Sequence, residues 1–304
     1  MGFILLATLV VIVLCAFALV GAAGARALRV SEIALDVPGL PEDLDGFVIA
    51  HISDLHLRFL RIPLKSVAEV LAAREPDIAC VTGDLIARPR DLTPAIAWLH
   101  KLAEGFPVFV VRGNNEPDLK PLREAFARGD GGEALRLLVN ETAIITRGQG
   151  RVAVIGLDDP EKRSTDLPAA TADFGGADFR LVLAHSPVAW PLLLCGLGTD
   201  RQIGLMLVGH THGGQIRLRG KHAHSVHSAV EKSLAAGLFA LDTTVHVPRM
   251  VSLLDHWDIL GAEDGLVARA DAPLLFVTRG LGNALVPWRF HCPPEIAFIR
   301  LRRG

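Results

Sequence analysis

The chain has 304 residues, room for one large domain or two ordinary ones, and half of them are apolar, enough for a substantial core. Its 31 Lys and Arg against 33 Asp and Glu leave a formal net charge of -2, so there is no electrostatic footprint for nucleic acid and that partner is not expected. The four cysteines, Cys15, Cys80, Cys195 and Cys292, are scattered without C-x-x-C spacing and read as buried thiols, not disulfides or metal ligands.

The first element is a run from Phe3 to Ala25 without a charged residue, in which Thr8 is the one conventional polar side chain. At 1.5 Å per residue it crosses a hydrocarbon core ~30 Å thick. Ala23-Gly24-Ala25 resembles the cleavage site of a secretory signal. The run nevertheless exceeds the ~7–15 apolar residues of a signal, and no Lys or Arg precedes it. Residues 1–25 therefore read as a retained, single-pass transmembrane anchor, with an uncleaved signal as the alternative. Arg26 and Arg29 follow the span, which tilts the remainder toward the cytoplasmic face, export being the alternative. Residues 26–46, with Pro38 and Pro41, read as a linker that holds the main domain, 47–304, near the membrane.

Strand-like and helix-like runs then alternate, as in α/β architecture. Residues 47–53 are a near-continuous apolar strand, and 62–74 are helical, with Val67, Val70 and Leu71 on one face. A second strand is predicted over 77–82. A helix follows over 93–103, with Thr93 as N-cap and Pro94 at its first position, and a third strand over 107–111. The second half is richer in strands: 143–146 and 151–157 pair around Gly148-Gln149-Gly150, followed by 180–184, 204–208, 215–218, 273–278 and 295–301. The interval 219–272 reads as an insertion. Its Leu234, Leu238, Phe239 and Leu241 predict a short apolar helix, and 250–260 is rich in Leu, with Trp257. It is either a small packed face of its own or an apolar flap near the bilayer. His222, His224 and His227 lie there without a nearby carboxylate and read as incidental.

Seven metal-binding side chains stand in five short clusters, most of them just after a strand-like run. They are Asp54 and His56 in Ser53-Asp54-Leu55-His56, Asp84 after Thr82-Gly83, Asn114 after Arg112-Gly113, His185 in Ala184-His185-Ser186, and His210 and His212 in Gly209-His210-Thr211-His212. In an open α/β sheet the carboxyl ends of the strands converge at one edge, where sites form. Asp54 to Asp84 and Asp84 to Asn114 are each 30 residues, one βαβ step apiece. Three carboxylate or amide oxygens and four imidazoles are what two divalent transition ions need if one Asp is shared. The mixture excludes oxygen-only calcium or magnesium cages and suits two ions of zinc, manganese or iron.

The order Asp54-Leu55-His56, Gly83-Asp84, Gly113-Asn114, His185 and Gly209-His210-Thr211-His212 resembles the calcineurin-like metallophosphoesterases. The extended 209–215 run ending in Gln215, together with 278–282 and Arg289-Phe290 before Cys292-Pro293-Pro294-Glu295, is similar to a membrane-anchored or exported bacterial branch. The resemblance covers 45–218 and 273–301. It implies a four-layer αββα sandwich of two mixed sheets. It also implies a ligand division: Asp54, His56, Asp84 and His212 around one ion, and Asp84, Asn114, His185 and His210 around the other, with Asp84 bridging. Two such ions ~3.5–4 Å apart supply a bridging hydroxide and offset charge on a phosphoryl group.

The chain departs from the family at Asn115, where most members carry a histidine thought to assist the leaving group or steady the phosphate. Asn115 cannot act as an acid, although its amide can hydrogen-bond a phosphoryl oxygen. The expectation is therefore a dinuclear phosphodiesterase or pyrophosphatase, with Asp84 and Asn115 as catalytic residues and a preference for good leaving groups. With the anchor, this points to a phosphorylated small molecule or a lipid-linked or nucleotide-sugar-lipid diphosphate. The alternatives are a phosphomonoesterase and a catalytically silent metal-binding interaction module. Asp158-Asp159 reads as a turn pair before Pro160, with contact to the site as the alternative. Residues 279–282 read as a tight loop beside the ions, where Arg279 is a candidate for neutralising substrate charge.

Overall fold

Short apolar strands bounded by turns build two sheets here, and the loops at one end of those strands carry the chemistry. The computed structural model describes residues 1–128, 132–172, 175–191, 203–217, 234–242, 249–255, 266–269, 272–284 and 286–304. In chain order its elements begin with helix α1 (Gly2–Gly24), β1 (Arg29–Val37), β2 (Val48–Ile52), α2 (Leu64–Ala72), β3 (Ile78–Val81), α3 (Leu92–Ala103) and β4 (Val108–Val111). Next come α4 (Leu119–Ala127), β5 (Leu135–Leu138), β6 (Glu141–Arg147), β7 (Gly150–Gly156), α5 (Leu167–Ala170), β8 (Phe179–Leu183) and β9 (Leu205–Val208). The last are β10 (Gly237–Asp242), β11 (Arg249–Asp255), β12 (Leu266–Arg269), β13 (Leu274–Val277) and β14 (Glu295–Arg303).

One seven-stranded sheet runs β12-β1-β14-β2-β3-β4-β5 and the other β11-β10-β13-β9-β8-β7-β6. Both are mixed: β2 to β5 are parallel while β14 is antiparallel to β2, and β7 to β9 are parallel while β6 is antiparallel to β7. Of the five strands that precede the predicted ligands, β2, β3, β4 and β9 are buried at every position and β8 at all but one, as parallel strands covered on both faces must be.

Side-chain alternation assigns each residue to a layer. Ile49, Ile78, Cys80, Phe109 and Val111 meet Val152, Val154, Leu181, Leu183, Leu207 and Phe276 between the sheets. Their alternates Ala50, Ile52, Ala79, Val81 and Val110 pack under Val67 and Leu71 of α2 and Ile96 and Leu99 of α3. On the far face, Ile155, Val182, Met206 and Val277 lie under Ala170 of α5, Ala189 and Trp190. Burying each large side chain stabilises by roughly 1.5–3 kcal/mol. A one-residue slip would turn a whole set outward, so the register is fixed.

Four expectations change. Residues 29–37 are not linker: β1 pairs along its whole length with β14, and Ile33, Leu35 and Val37 enter the central core. The two prolines that follow at 38 and 41 masked a regular alternation before them. Residues 237–242 are strand rather than helix, because β10 pairs with β13 and sends Leu238 and Phe239 to opposite faces. The i, i+3/i+4 spacing of its leucines was coincidental, and pairing overrides it. Residues 215–217 form no strand; a 3₁₀ turn over His212–Gly214 leads to a single bridge between Ile216 and Phe290. Helix α3 also starts one residue early, at Leu92, which puts Pro94 in the first turn where its missing N–H costs nothing. The described strands of 219–272 extend the two sheets at their edges. His222, His224, His227, Trp257 and most of the suggested flap lie outside the described residues.

α1 is a candidate membrane span by length and composition. Most of it stands clear of the domain, with Phe3 to Leu14 exposed. Its last turns pack against the domain. Phe17 stacks on Phe290 at 4.1 Å between ring centroids and meets Trp288 edge-on, and the Arg289 N–H donates to the Gly21 carbonyl at 2.9 Å. A Cβ at Gly24 would collide with the Arg289 carbonyl oxygen, and one at Gly21 would strike the Phe290 ring. Glycine at these two positions permits the close approach.

Candidate metal centre

Each predicted ligand lies in the loop that leaves the carboxyl end of a strand: Asp54 and His56 after β2, Asp84 after β3, Asn114 after β4, His185 after β8, and His210 and His212 after β9. Five of the seven have positive φ, namely Asp54 (53°), His56 (38°), Asp84 (52°), His210 (67°) and His212 (50°). The left-handed region costs a non-glycine residue ~1–3 kcal/mol and persists where the surroundings impose it. Here it turns the side chains off the strand direction into one cleft. Gly83 and Gly113 stand backbone to backbone, and a side chain on Gly113 would overlap the Asp84 carboxylate.

The structure brings all seven side chains together in two groups. Asp54, His56 and His212 form one, with His56 Nε2 3.0 Å from His212 Nε2 and His212 Nε2 3.7 Å from Asp54 Oδ1. Asp84, His185 and His210 form the other, with His210 Nδ1 3.0 Å from His185 Nε2. Asn114 joins the second group: its Oδ1 lies 2.9 Å from His185 Nε2 and 3.1 Å from His210 Nδ1. Asp84 stands between the groups, with Oδ2 3.3 Å from His56 Nε2 and Oδ1 3.5 Å from His185 Nε2.

These donors fit divalent cations. Imidazole nitrogens ~3 Å apart, with carboxylate oxygens slightly farther, are spaced as ligands that share an ion at ~2.0–2.2 Å. The Nδ1 of His185 donates to the Thr82 carbonyl at 2.7 Å, which fixes the ring and directs Nε2 toward Asn114 and Asp84, the orientation a metal ligand needs. Burial, then the charges of His56 and Arg289, hold His212 well below the usual imidazole value. Burial opposes the Asp84 carboxylate, but His185, then His56, and two hydrogen bonds from Asn115 outweigh it, so its pKa is lowered.

Asn115 touches the Asp84 carboxylate directly. Its backbone N–H donates to Asp84 Oδ1 at 2.9 Å and its amide to Asp84 Oδ2 at 2.6 Å, so it orients the shared carboxylate. Glu116, which sequence reasoning passed over, is fully enclosed. It accepts from the backbone N–H groups of Asp84, Leu85 and Gly113 at 3.0, 2.6 and 2.7 Å, and so locks two ligand loops together. Burial and then the neighbouring Asp84 push its carboxyl up to about 7.

Three further residues border the site. Glu161 Oε1 lies 3.1 Å from His210 Nε2, on the side of the ring away from Asn114. Arg289 is buried. It donates to the carbonyls of Arg279, Gly280, Gly282 and Cys292, and Nη2 comes within 3.4 Å of His212 Nδ1. Gln215 donates to the carbonyls of Val286 and Trp288 at 2.7 and 3.1 Å, which closes the loop that meets α1. Arg279 instead pairs with buried Glu295 at 3.3 Å, and Asp158 makes a two-pronged ion pair with buried Arg112 at 2.8 and 2.9 Å. These pairs are bound within the scaffold. In sequence, only the runs around Arg289 and Gln215 marked the bordering residues.

The family model for calcineurin-like phosphoesterases matches residues 47–214, more than half of the chain. The chain belongs to that family. This calcineurin-like phosphoesterase is a metal-dependent phosphoric ester hydrolase, with two candidate metal-binding groups. It is 26% identical over 274 residues to the uncharacterized metallophosphoesterase YkuE of Bacillus subtilis (strain 168), covering 86% of this chain and 82% of that one. It is 27% identical over 269 residues to the phosphodiesterase YaeI of Escherichia coli (strain K12), covering 84% and 82%. It is 24% identical over 331 residues to the UDP-2,3-diacylglucosamine pyrophosphatase LpxG of Chlamydia trachomatis serovar D, covering 90% and 89%.

Proposed function

We propose that this phosphoesterase is a dinuclear hydrolase of a phosphodiester or pyrophosphate bond. Asp54, His56, Asp84 and His212 would hold one ion and Asp84, Asn114, His185 and His210 the other. The single observation that carries the reading is the Asp84 carboxylate, whose two oxygens face one group each, at 3.3 and 3.5 Å. Two divalent cations, when bound, acidify water to supply the nucleophile and offset charge on the phosphoryl oxygens. The chain's own part is orientation. Asn115 and Glu116 fix Asp84 and its loop, Thr82 fixes the His185 ring, and Arg289 closes the far side of His212.

The amide of Asn115 can donate a hydrogen bond to a substrate oxygen but no proton. A leaving group that is stable as an anion therefore suits this site better than an alkoxide. That supports an anhydride or activated diester. The candidate membrane span, together with the pyrophosphatase activity for which the chlamydial relative is named, supports a lipid-linked diphosphate as substrate. The test is the full chain in detergent or bilayer, stripped with chelator and reloaded with manganese, zinc or iron. We expect two equivalents bound and hydrolysis of bis-p-nitrophenyl phosphate restored. Retention of a single equivalent at full activity would overturn the dinuclear reading. Equal rates on alkyl and p-nitrophenyl esters would overturn the leaving-group preference.

A further inference from the structure

We infer that the rim of the metal cleft formed by Leu57–Phe59 with Leu60 and Arg61 on one side, and Val286, Pro287 and Trp288 on the other, is seated on an anionic bilayer surface. The inference rests on the reading of α1 as a membrane span, and it specifies where the cleft lies relative to that membrane.

Three observations carry it. First, the domain already meets the chain inside the apolar helix, before its first charged residue. Phe17, Gly21 and Gly24 contact Trp288, Arg289 and Phe290, whereas the first charged residue after the span is Arg26. Phe17 lies nine residues before Arg26, ~14 Å along a helix axis. The headgroup layer of one leaflet is only ~5–8 Å deep. With Arg26 among the headgroups, the loop around Trp288 reaches the boundary of the acyl chains.

Second, the composition of the rim suits that depth. Phe59, Leu60, Val286, Pro287 and Trp288 are half-buried, with apolar surface left over, and Arg58 and Arg61 are exposed. An indole prefers the membrane–water boundary, and arginines are drawn to anionic headgroups. The two halves are joined, since the buried Asn283 amide donates to the Phe59 carbonyl at 2.7 Å.

Third, the rim is continuous with the site. Leu57 directly follows His56, and the 286–288 loop is held by Gln215 at one end and by Arg289, beside His212, at the other. A cleft held there meets phosphates in the headgroup layer without the lipid leaving the bilayer.

The experiment uses the full chain reconstituted into vesicles of phosphatidylcholine with phosphatidylglycerol, and into phosphatidylcholine alone. The Trp288 emission is obtained as the difference between the native chain and Trp288→Phe. In the mixed vesicles we expect that emission to be quenched at least twofold more by lipid spin-labelled near the headgroup than by aqueous iodide. Iodide quenching equal to or greater than that by the lipid label would overturn the inference. Arg58→Glu with Arg61→Glu, which leaves Trp288 in place, provides a second readout. We expect it to halve the lipid quenching in the anionic vesicles and leave it unchanged in the neutral ones; equal behaviour in both would remove the anionic headgroups from the inference. Neither readout involves hydrolysis. A protein that binds two ions and cleaves bis-p-nitrophenyl phosphate yet fails both keeps its proposed function and loses this surface.

Discussion

The Arg289 backbone N–H donates to the Gly21 carbonyl at 2.9 Å, while the guanidinium of the same residue comes within 3.4 Å of His212. The apolar N-terminal helix and the metal cleft are therefore one residue apart, although 268 positions separate Gly21 from Arg289 in the chain (289 minus 21). α1 is part of the scaffold of the site and not a tether alone.

That contact predicts an unusual sensitivity in the helix. Gly24→Val would force the Arg289 carbonyl away, and the guanidinium would move with it. Displacements near 1 Å remote from the chemistry cost up to ~10²-fold in rate. We expect kcat on bis-p-nitrophenyl phosphate to fall at least about tenfold. Gly2→Ala, with no neighbour within 4 Å, should leave the rate unchanged.

Glu116 ties the Asp84 and Asn114 loops by accepting three backbone N–H groups. Glu116→Gln points an amide at donors that need an acceptor. Groups that orient metal ligands are worth ~10–100-fold in affinity. Titration of the chelator-treated variant with manganese should show a loss in that range and a lower melting temperature.

Asn115→His restores a group that can donate a proton. Because general acid help matters most for poor leaving groups, the rate on an alkyl ester should rise about tenfold relative to that on the p-nitrophenyl ester. Asn115→Ala removes the amide from Asp84, and both rates should fall together.

His51 gives a pH prediction away from the ligands. It packs between the sheets against Phe276 and bonds Thr82 Oγ1 at 2.9 Å. Burial lowers its pKa to about 3. Its ordinary value is 6.5. Between these two values the unfolded chain binds the proton and the folded one does not. Stability therefore falls as pH drops through that window, by at most about 1.4 kcal/mol per pH unit from this residue. His51→Gln cannot titrate. In metal-free melting series it should lose less stability than the native chain between pH 6.5 and 4.

The buried Arg112–Asp158 pair joins the loop after β4 to the loop after β7. Asp158→Ala leaves the guanidinium buried and unpaired, at a cost of roughly 3–5 kcal/mol. Arg112→Met together with Asp158→Leu should recover most of that in a melting experiment.

The ligand strands and the first two domain helices were legible because each is a short apolar run or a one-faced helical pattern ending at a recognisable cluster. The seven candidate ligands stood out as clusters after such runs, and the 30-residue steps from Asp54 to Asp84 and from Asp84 to Asn114 match βαβ units. The edge strands were not. β1 carries its alternation in the short stretch before Pro38, and β10 has leucines at helical spacing, so only the partner strands decide what these segments become. Nor was the inner support legible. Glu116 looks like any acid after a turn, and Arg289 lies 77 residues beyond the histidine it borders (289 minus 212). Asn115 was singled out as a departure from the family pattern, but its contact with Asp84 was not foreseen.

The left-handed backbone at Asp54, His56, Asp84, His210 and His212 has a consequence for protein engineers. The centre cannot be transplanted by copying seven side chains onto a regular helix or a flat strand. Those surfaces aim their Cβ atoms along other vectors, and a host would need to import the loops themselves, with Gly83, Gly113 and Gly209 where neighbouring loops pass.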